Sequence, residues 1–185
     1  MSEKVMPPIL PWKRPAWIAV LLGMLVFGFY QELAKVNLNH YIETLQRHPE
    51  LEALGAADRA VVWDDVSPPI RLQYYVIRDT WGGFHSLTMS QLNLLKWALS
   101  LLILLVFFVF DGLFLKTTGH FQRWPWLVVI YAMSGCVMAI FMVAIPGRSG
   151  YSVSHEFLAF LQSPLPSFLI VLVPSLLERM RQKEA

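Results

Sequence analysis

The 185-residue chain is 56% hydrophobic and 15% charged, with a formal net charge of +2 at neutral pH. Soluble domains average about 45–50% apolar and 25% charged residues, so this chain carries more apolar surface than one small core can bury, and the excess calls for lipid. The charge is too mild and too scattered for a nucleic-acid partner, and the single Cys136, set in an apolar run, can form no internal disulfide.

A bilayer core about 30 Å thick takes roughly 20 apolar residues in helix, because unpaired backbone groups are too costly in hydrocarbon. The expected class is therefore all-α, a polytopic membrane protein with four transmembrane helices. Residues 1–15 form a short N-terminal segment, and 16–34 the first span, with Pro15 suited to a first helical turn and Trp12 and Trp17 at its entry. After Tyr30 the sequence continues Gln31-Glu32-Leu33-Ala34-Lys35, without small residues at cleavage spacing, so this reads as a retained signal anchor.

Residues 35–91 are expected to be an amphipathic helical arm outside the cytoplasm. Leu38, Tyr41, Ile42 and Leu45 recur at helical spacing until His48-Pro49 interrupts them. Pro68-Pro69 then opens a second stretch, predicted helical, with Ile70, Tyr74, Ile77 and Trp81 on one face and Gly82-Gly83 at its end. With few apolar anchors and no disulfide, the arm is not expected to build an independent core. Trp63, Tyr74, Ile77 and Trp81 are its candidate contacts with a partner or the membrane interface.

The second span, 92–115, holds an unbroken apolar run from Leu101 to Phe110, and 116–123 is a short cytoplasmic loop. The third, 124–145, is entered by Trp124-Pro125-Trp126 and closed by Pro146-Gly147. A loop is expected over 146–163, followed by a fourth span over 164–178, with Ser163 as N-cap and Pro164 in the first turn. Pro164, Pro166 and Pro174 interrupt it, so a stretch along the interface over 157–162, or a re-entrant hairpin, are the other readings. Residues 179–185 complete the chain.

Basic residues in short loops orient membrane proteins toward the cytoplasm. With the N-terminus inside, the cytoplasmic segments and adjoining span ends hold eight cations, Lys4, Lys13, Arg14, Lys116, Arg123, Arg179, Arg181 and Lys183, against four acids, Glu3, Asp111, Glu178 and Glu184; the outer segments and adjoining span ends hold seven cations against nine acids. Both termini are thus expected in the cytoplasm of a bacterial cell, the spans in its inner membrane.

Ionisable groups inside a span are expensive and usually functional. Lys96, near the outer end of the second span, can snorkel to the interface. Asp111 lies deeper, about 7.5 Å of helix rise from Lys116. These two are the candidate interhelical polar contact, Asp111 pairing with Lys116 or with a cation on another helix. The small residues Ala132, Gly135 and Ala139 form a candidate packing face on the third span.

No cofactor or metal site is expected. His40, His48, His85, His120 and His155 fall in loops or the arm, so no axial pair faces the bilayer interior for haem. His155-Glu156 has no second histidine at the zinc-protease spacing, and Asp64-Asp65 is a lone doublet. Ser152, Ser154, His155 and Glu156 include triad residue types, but sequence adjacency does not give triad geometry.

A span, an outer arm, a long apolar helix ending Asp111-Gly112-Leu113 with Lys116 and Thr117 close behind, a third span and a Pro-rich fourth together resemble the four-span membrane proteins of integrating conjugative elements. Members of that family usually continue with an aromatic-glycine-aromatic and a Ser-Pro stretch, where this chain has Gly119-His120-Phe121 and Trp124-Pro125. The resemblance implies a part in type IV conjugative transfer and supplies no catalytic residue. The expected function is a non-catalytic inner-membrane subunit or scaffold, with the lipid bilayer and other membrane proteins, further copies of itself included, as partners. A small oligomeric transporter or channel using Asp111, and a membrane enzyme acting at the outer interface through Ser154, His155 or Asp65, are the two rival readings.

Overall fold

The computed structural model of the protein describes residues 16–67, 70–72, 75–77, 82–145 and 148–184. Helix dominates them: α1 (Ala16–Arg47), α2 (Ala56–Val66), α3 (Met89–Thr117), α4 (Trp124–Ala144), α5 (Arg148–Leu161) and α6 (Leu165–Glu184). One hairpin interrupts the helices, β1 (Ile70–Leu72) with β2 (Tyr75–Ile77). Helices α1, α3 and α4 are long and apolar enough to cross a membrane; α5 and α6, bent by 68° at the break between them, make a fourth crossing if counted as one.

The chain divides into two compact units. One comprises Phe29–Leu102; the other takes in the chain up to Gly28 and from Ile103 onward. The divisions fall inside α1 and α3.

Within Phe29–Leu102, α1 stops at Arg47, just before His48-Pro49. With 32 residues it is about 48 Å long, more than a hydrocarbon core requires. Its Leu38, Tyr41, Ile42 and Leu45 do not lie on a membrane surface or await a partner. They are at most 5% exposed and close a core with Leu51, Trp63 and Leu92. The unit therefore does what its short apolar inventory argued against. Two bulky rings explain part of this: Tyr41 stacks on Trp63 with centroids 3.9 Å apart and planes inclined by 11°.

Arg59 supplies the rest. It is 4% exposed, and its guanidinium donates to the carbonyls of Leu51 (2.9 Å), Leu87 (2.9 Å), Glu52 (3.2 Å) and Leu54 (3.3 Å). A planar fork of donors can tie several irregular backbone stretches at once, which a lysine could not. Glu52 also reaches forward, accepting from the Met89 N–H at 2.8 Å. Thr88 and Gln91 cap α3 reciprocally, N–H to side chain in each direction at 2.9 and 3.3 Å.

The hairpin corrects the helix expected after Pro68-Pro69. Ile70 and Ile77, seven apart, share one helix face in principle, but here they are cross-strand partners, with Arg71 opposite Val76 and Leu72 opposite Tyr75. Ile70, Tyr75, Val76 and Ile77 are β-branched or aromatic residues that favour extended backbone.

In the other unit, α3 ends in a Schellman turn: Gly119 has φ 81°, the His120 N–H bonds the Leu115 carbonyl at 2.7 Å, and the Gly119 N–H bonds that of Lys116 at 3.2 Å. The tight reversal brings α4 back against α3, where Trp124 lies over Gly112. A Cβ on Gly112 would overlap the indole ring, so only glycine permits this approach. Phe108 packs edge-on to both Trp124 and Tyr131, at 4.8 and 4.9 Å between centroids. Phe114, Leu115, Leu127, Ile170 and Val171 form the buried core.

The loop expected over 146–163 is instead largely α5. Its buried Ser154 donates to the Met138 carbonyl at 3.1 Å, and its last carbonyl, that of Leu161, lies 2.9 Å from the Tyr131 hydroxyl. Loop-like composition misleads here because Ser and Gly are tolerated in a helix that packs closely on a neighbour. The Ser163 hydroxyl accepts from the Leu165 N–H at 3.2 Å and starts α6 as the sequence suggests. Farther along α6, the Arg123 guanidinium donates to the Ile170 carbonyl at 2.8 Å. Thus, as contacts descend from Met138 through Tyr131 of α4 to Arg123 just before it, their partners advance from Ser154 through Leu161 to Ile170. Both α5 and α6 run antiparallel to α4, on either side of their break.

Candidate functional site

The break between α5 and α6 faces Asp111. This carboxylate sits six residues before the end of α3, about 9 Å of rise, and Tyr131 sits seven residues into α4, about 10 Å, so the two meet at matching depth. Asp111 is fully buried, and its Oδ2 accepts from the Tyr131 hydroxyl at 2.8 Å. The same hydroxyl lies 2.9 Å from the Leu161 carbonyl at the end of α5. One phenol thus joins α3, α4 and the break.

Ser167, also fully buried, bears on the carboxyl from the first turn of α6 through its hydroxyl and backbone N–H. That hydroxyl's proton goes to the Pro164 carbonyl at 3.1 Å, so Asp111 Oδ1 is left without a well-aligned donor among the described residues. The opening N–H groups of a helix favour an anion, and an acid buried at that point gains from the local dipole. The arrangement can hold a negative charge, or a proton in its place, at a discontinuity in the helical backbone.

The residues singled out by sequence are distributed differently. Asp111 makes an interhelical contact, but with Tyr131. Lys116 is exposed, and among the described residues the ion pairs are Arg47–Glu43 and His48–Glu50. The physical reason is angular: five helix positions place two side chains well apart around the axis. Ala132 and Ala139 are exposed and a Cβ on Gly135 would meet nothing within 4 Å, so among the described residues nothing packs closely on that face.

Trp63 is 2% exposed, a core residue and not a contact surface. Tyr74 and Trp81 lie outside the described residues, and Ile77 is placed by its backbone pairing with Ile70. Ser154 is engaged with α4 backbone, while Ser152, His155 and Glu156 are exposed. No group of three His, Cys, Asp or Glu side chains suited to a metal occurs among the described residues.

Sequence reading missed Tyr131, Ser167, Arg59 and the Arg123–Ile170 bond. Two signals pointed to them. A tyrosine in an apolar span needs a partner for its hydroxyl, and a proline inside a helix frees the carbonyl four residues earlier, here Ile170. A second polar pair, Tyr41 and His85, lies in the Phe29–Leu102 unit with the phenol oxygen 2.8 Å from Nδ1.

No family model, no curated protein and no solved structure matches the chain.

Proposed function

We propose that this chain is a multi-pass protein of a bacterial inner membrane that serves as a non-catalytic subunit or scaffold of a larger membrane assembly. Helices α1, α3 and α4 are three of its spans and the α5–α6 pair the fourth, both termini being cytoplasmic; the antiparallel progression of α5 and α6 along α4 supports this count. The weak likeness to membrane proteins of conjugative elements makes a conjugative transfer apparatus the assembly to test first.

The observation that carries the reading is the closed core of the segment expected outside the cytoplasm. Arg59, Tyr41 and Trp63, the groups there with most chemical potential, are engaged in holding that core together. A closed core in which Arg59 is committed to backbone carbonyls and Tyr41 to His85 suits docking better than turnover. Isolation in mild detergent followed by cross-linking mass spectrometry tests it: defined partners cross-linked to residues 49–66 are expected, and a monodisperse, partner-free species counts against it.

A small transporter or channel is the second reading, favoured by one observation: Asp111 at the break between α5 and α6. Discontinuous helices surround ion and substrate sites in transporters. Reconstituted protein should then show flux that Asp111→Asn abolishes; absence of flux in both forms removes this reading and leaves the scaffold.

A further inference from the structure

Beside the Arg123–Ile170 bond, a groove of about 560 Å³ runs between α4 and α6. Its volume lies within the roughly 300–1,000 Å³ usual for small-molecule sites. Its walls are apolar: Trp126 and Ile130, one turn apart on α4, face Leu169, Val173 and Pro174 of α6. Arg123 lines it as well, immediately before the first residue of α4.

Three features define what fits. First, among the described residues Arg123 takes part in neither of the two ion pairs and meets no carboxylate, so the described wall of the groove presents a cation. Second, Pro174 removes an N–H from α6, and the guanidinium is drawn to the freed Ile170 carbonyl, which fixes it at the groove; among the described residues its remaining N–H groups have no other acceptor. Third, Trp126 is 65% exposed at the start of α4, where amphipathic rings mark a membrane–water boundary. A second copy of the chain docking here would bury the Arg123 charge in an apolar interface, which is costly unless an acid is brought to it.

We propose that this groove binds one anionic phospholipid, the phosphodiester on Arg123 and an acyl chain along Trp126, Ile130, Leu169 and Val173. The proposal needs membrane embedding but not the scaffold role, and it holds equally for a transporter.

The test uses the full-length protein in mild detergent, exchanged against phosphatidylglycerol or phosphatidylcholine, with retained lipid counted by native mass spectrometry. Wild-type protein should retain phosphatidylglycerol over phosphatidylcholine, and Arg123→Gln should lower that retention about fivefold, the effect of one cation near an anionic lipid. Arg123→Lys should keep most of the preference. Ile130→Trp, which fills the groove and leaves the charge in place, should reduce retention of both lipids; this variant decides the matter if Arg123→Gln proves unstable. Equal retention of the two lipids by wild type overturns the proposal, as does retention indifferent to Ile130→Trp. With Cys136 replaced by Ala, cysteines at Trp126 and Leu169 that cross-link two copies while no lipid is retained would assign the groove to a dimer instead.

Discussion

Arg123 donates to the Ile170 carbonyl at 2.8 Å, and that carbonyl is the one Pro174 deprives of its helical partner. The side chain of one helix terminus thus mends a backbone defect in another helix. Pro174 can be kept inside α6 because a donor is supplied from outside it, as breaks in membrane helices generally require.

This bond predicts a coupling. Arg123→Met should destabilise the protein by about 1–3 kcal/mol, the cost of leaving a buried acceptor unpaired. Pro174→Ala restores an N–H to the Ile170 carbonyl, so Arg123→Met should cost clearly less in that background. Unfolding of the four proteins in mixed detergent micelles gives the cycle; additive losses would show that the two residues do not act on the same carbonyl.

Trp63 and Arg59 should behave as core residues. Trp63→Ala should cost about 3–5 kcal/mol, as for large aromatic truncations in packed cores. Arg59→Met should remove at least about 3 kcal/mol by leaving several carbonyls without their charged donor, and Arg59→Lys should recover little of it. Hydrogen exchange over residues 38–66 measures both. If Trp63→Ala left exchange unchanged and impaired only partner capture, Trp63 would be a contact residue after all.

The two glycines facing different surroundings should separate cleanly. Gly112→Ala forces a methyl into the Trp124 ring and should cost about 1–3 kcal/mol, as overpacked sites do, with Trp124→Leu relieving it. Gly135→Ala meets open space and should be neutral or slightly stabilising for the isolated chain. A loss of oligomers or complexes on Gly135→Ala, with the monomer intact, would place a second chain against Ala132, Gly135 and Ala139.

Acid should loosen the Phe29–Leu102 unit. His85 is held below the ordinary histidine value of 6.5 by burial, then by Arg59, with Asp64 pulling the other way. His40, 2.8 Å from the Ser67 hydroxyl, is also held low by burial, with Glu43 opposing and Arg47 adding to the effect. Groups lowered in the folded state take up protons more readily once unfolded. Their stabilising effect is therefore complete above about pH 6.5 and declines as the pH falls below that value. Exchange rates at Leu38 to Leu45, corrected for intrinsic pH dependence, should rise between pH 7.5 and 5.5, and His85→Asn should flatten the profile.

Much of the helical framework follows from local sequence. Three apolar stretches of sufficient length, the stop at His48-Pro49 and the cap at Ser163 rest on interactions within a few residues, and these the sequence states directly. The candidate site was half legible: an aspartate in an apolar helix announces a polar contact, but not which residue answers it. Lys116 is near in sequence and turned away, while Tyr131 is twenty residues distant and in reach.

The remainder depended on partners remote in the chain. Trp63 is buried because Tyr41 comes to lie flat against it, and Arg59 can be buried because carbonyls of Leu51 and Leu87 converge on it. Residues 148–161 are helical where α4 offers a surface, and Ile70 pairs with Ile77 across a hairpin despite their helical spacing. Composition and periodicity determined that long apolar helices form. Where each side chain finds its partner was decided by the tertiary structure, because desolvated polar groups and large rings are stabilised by geometry that no local pattern contains.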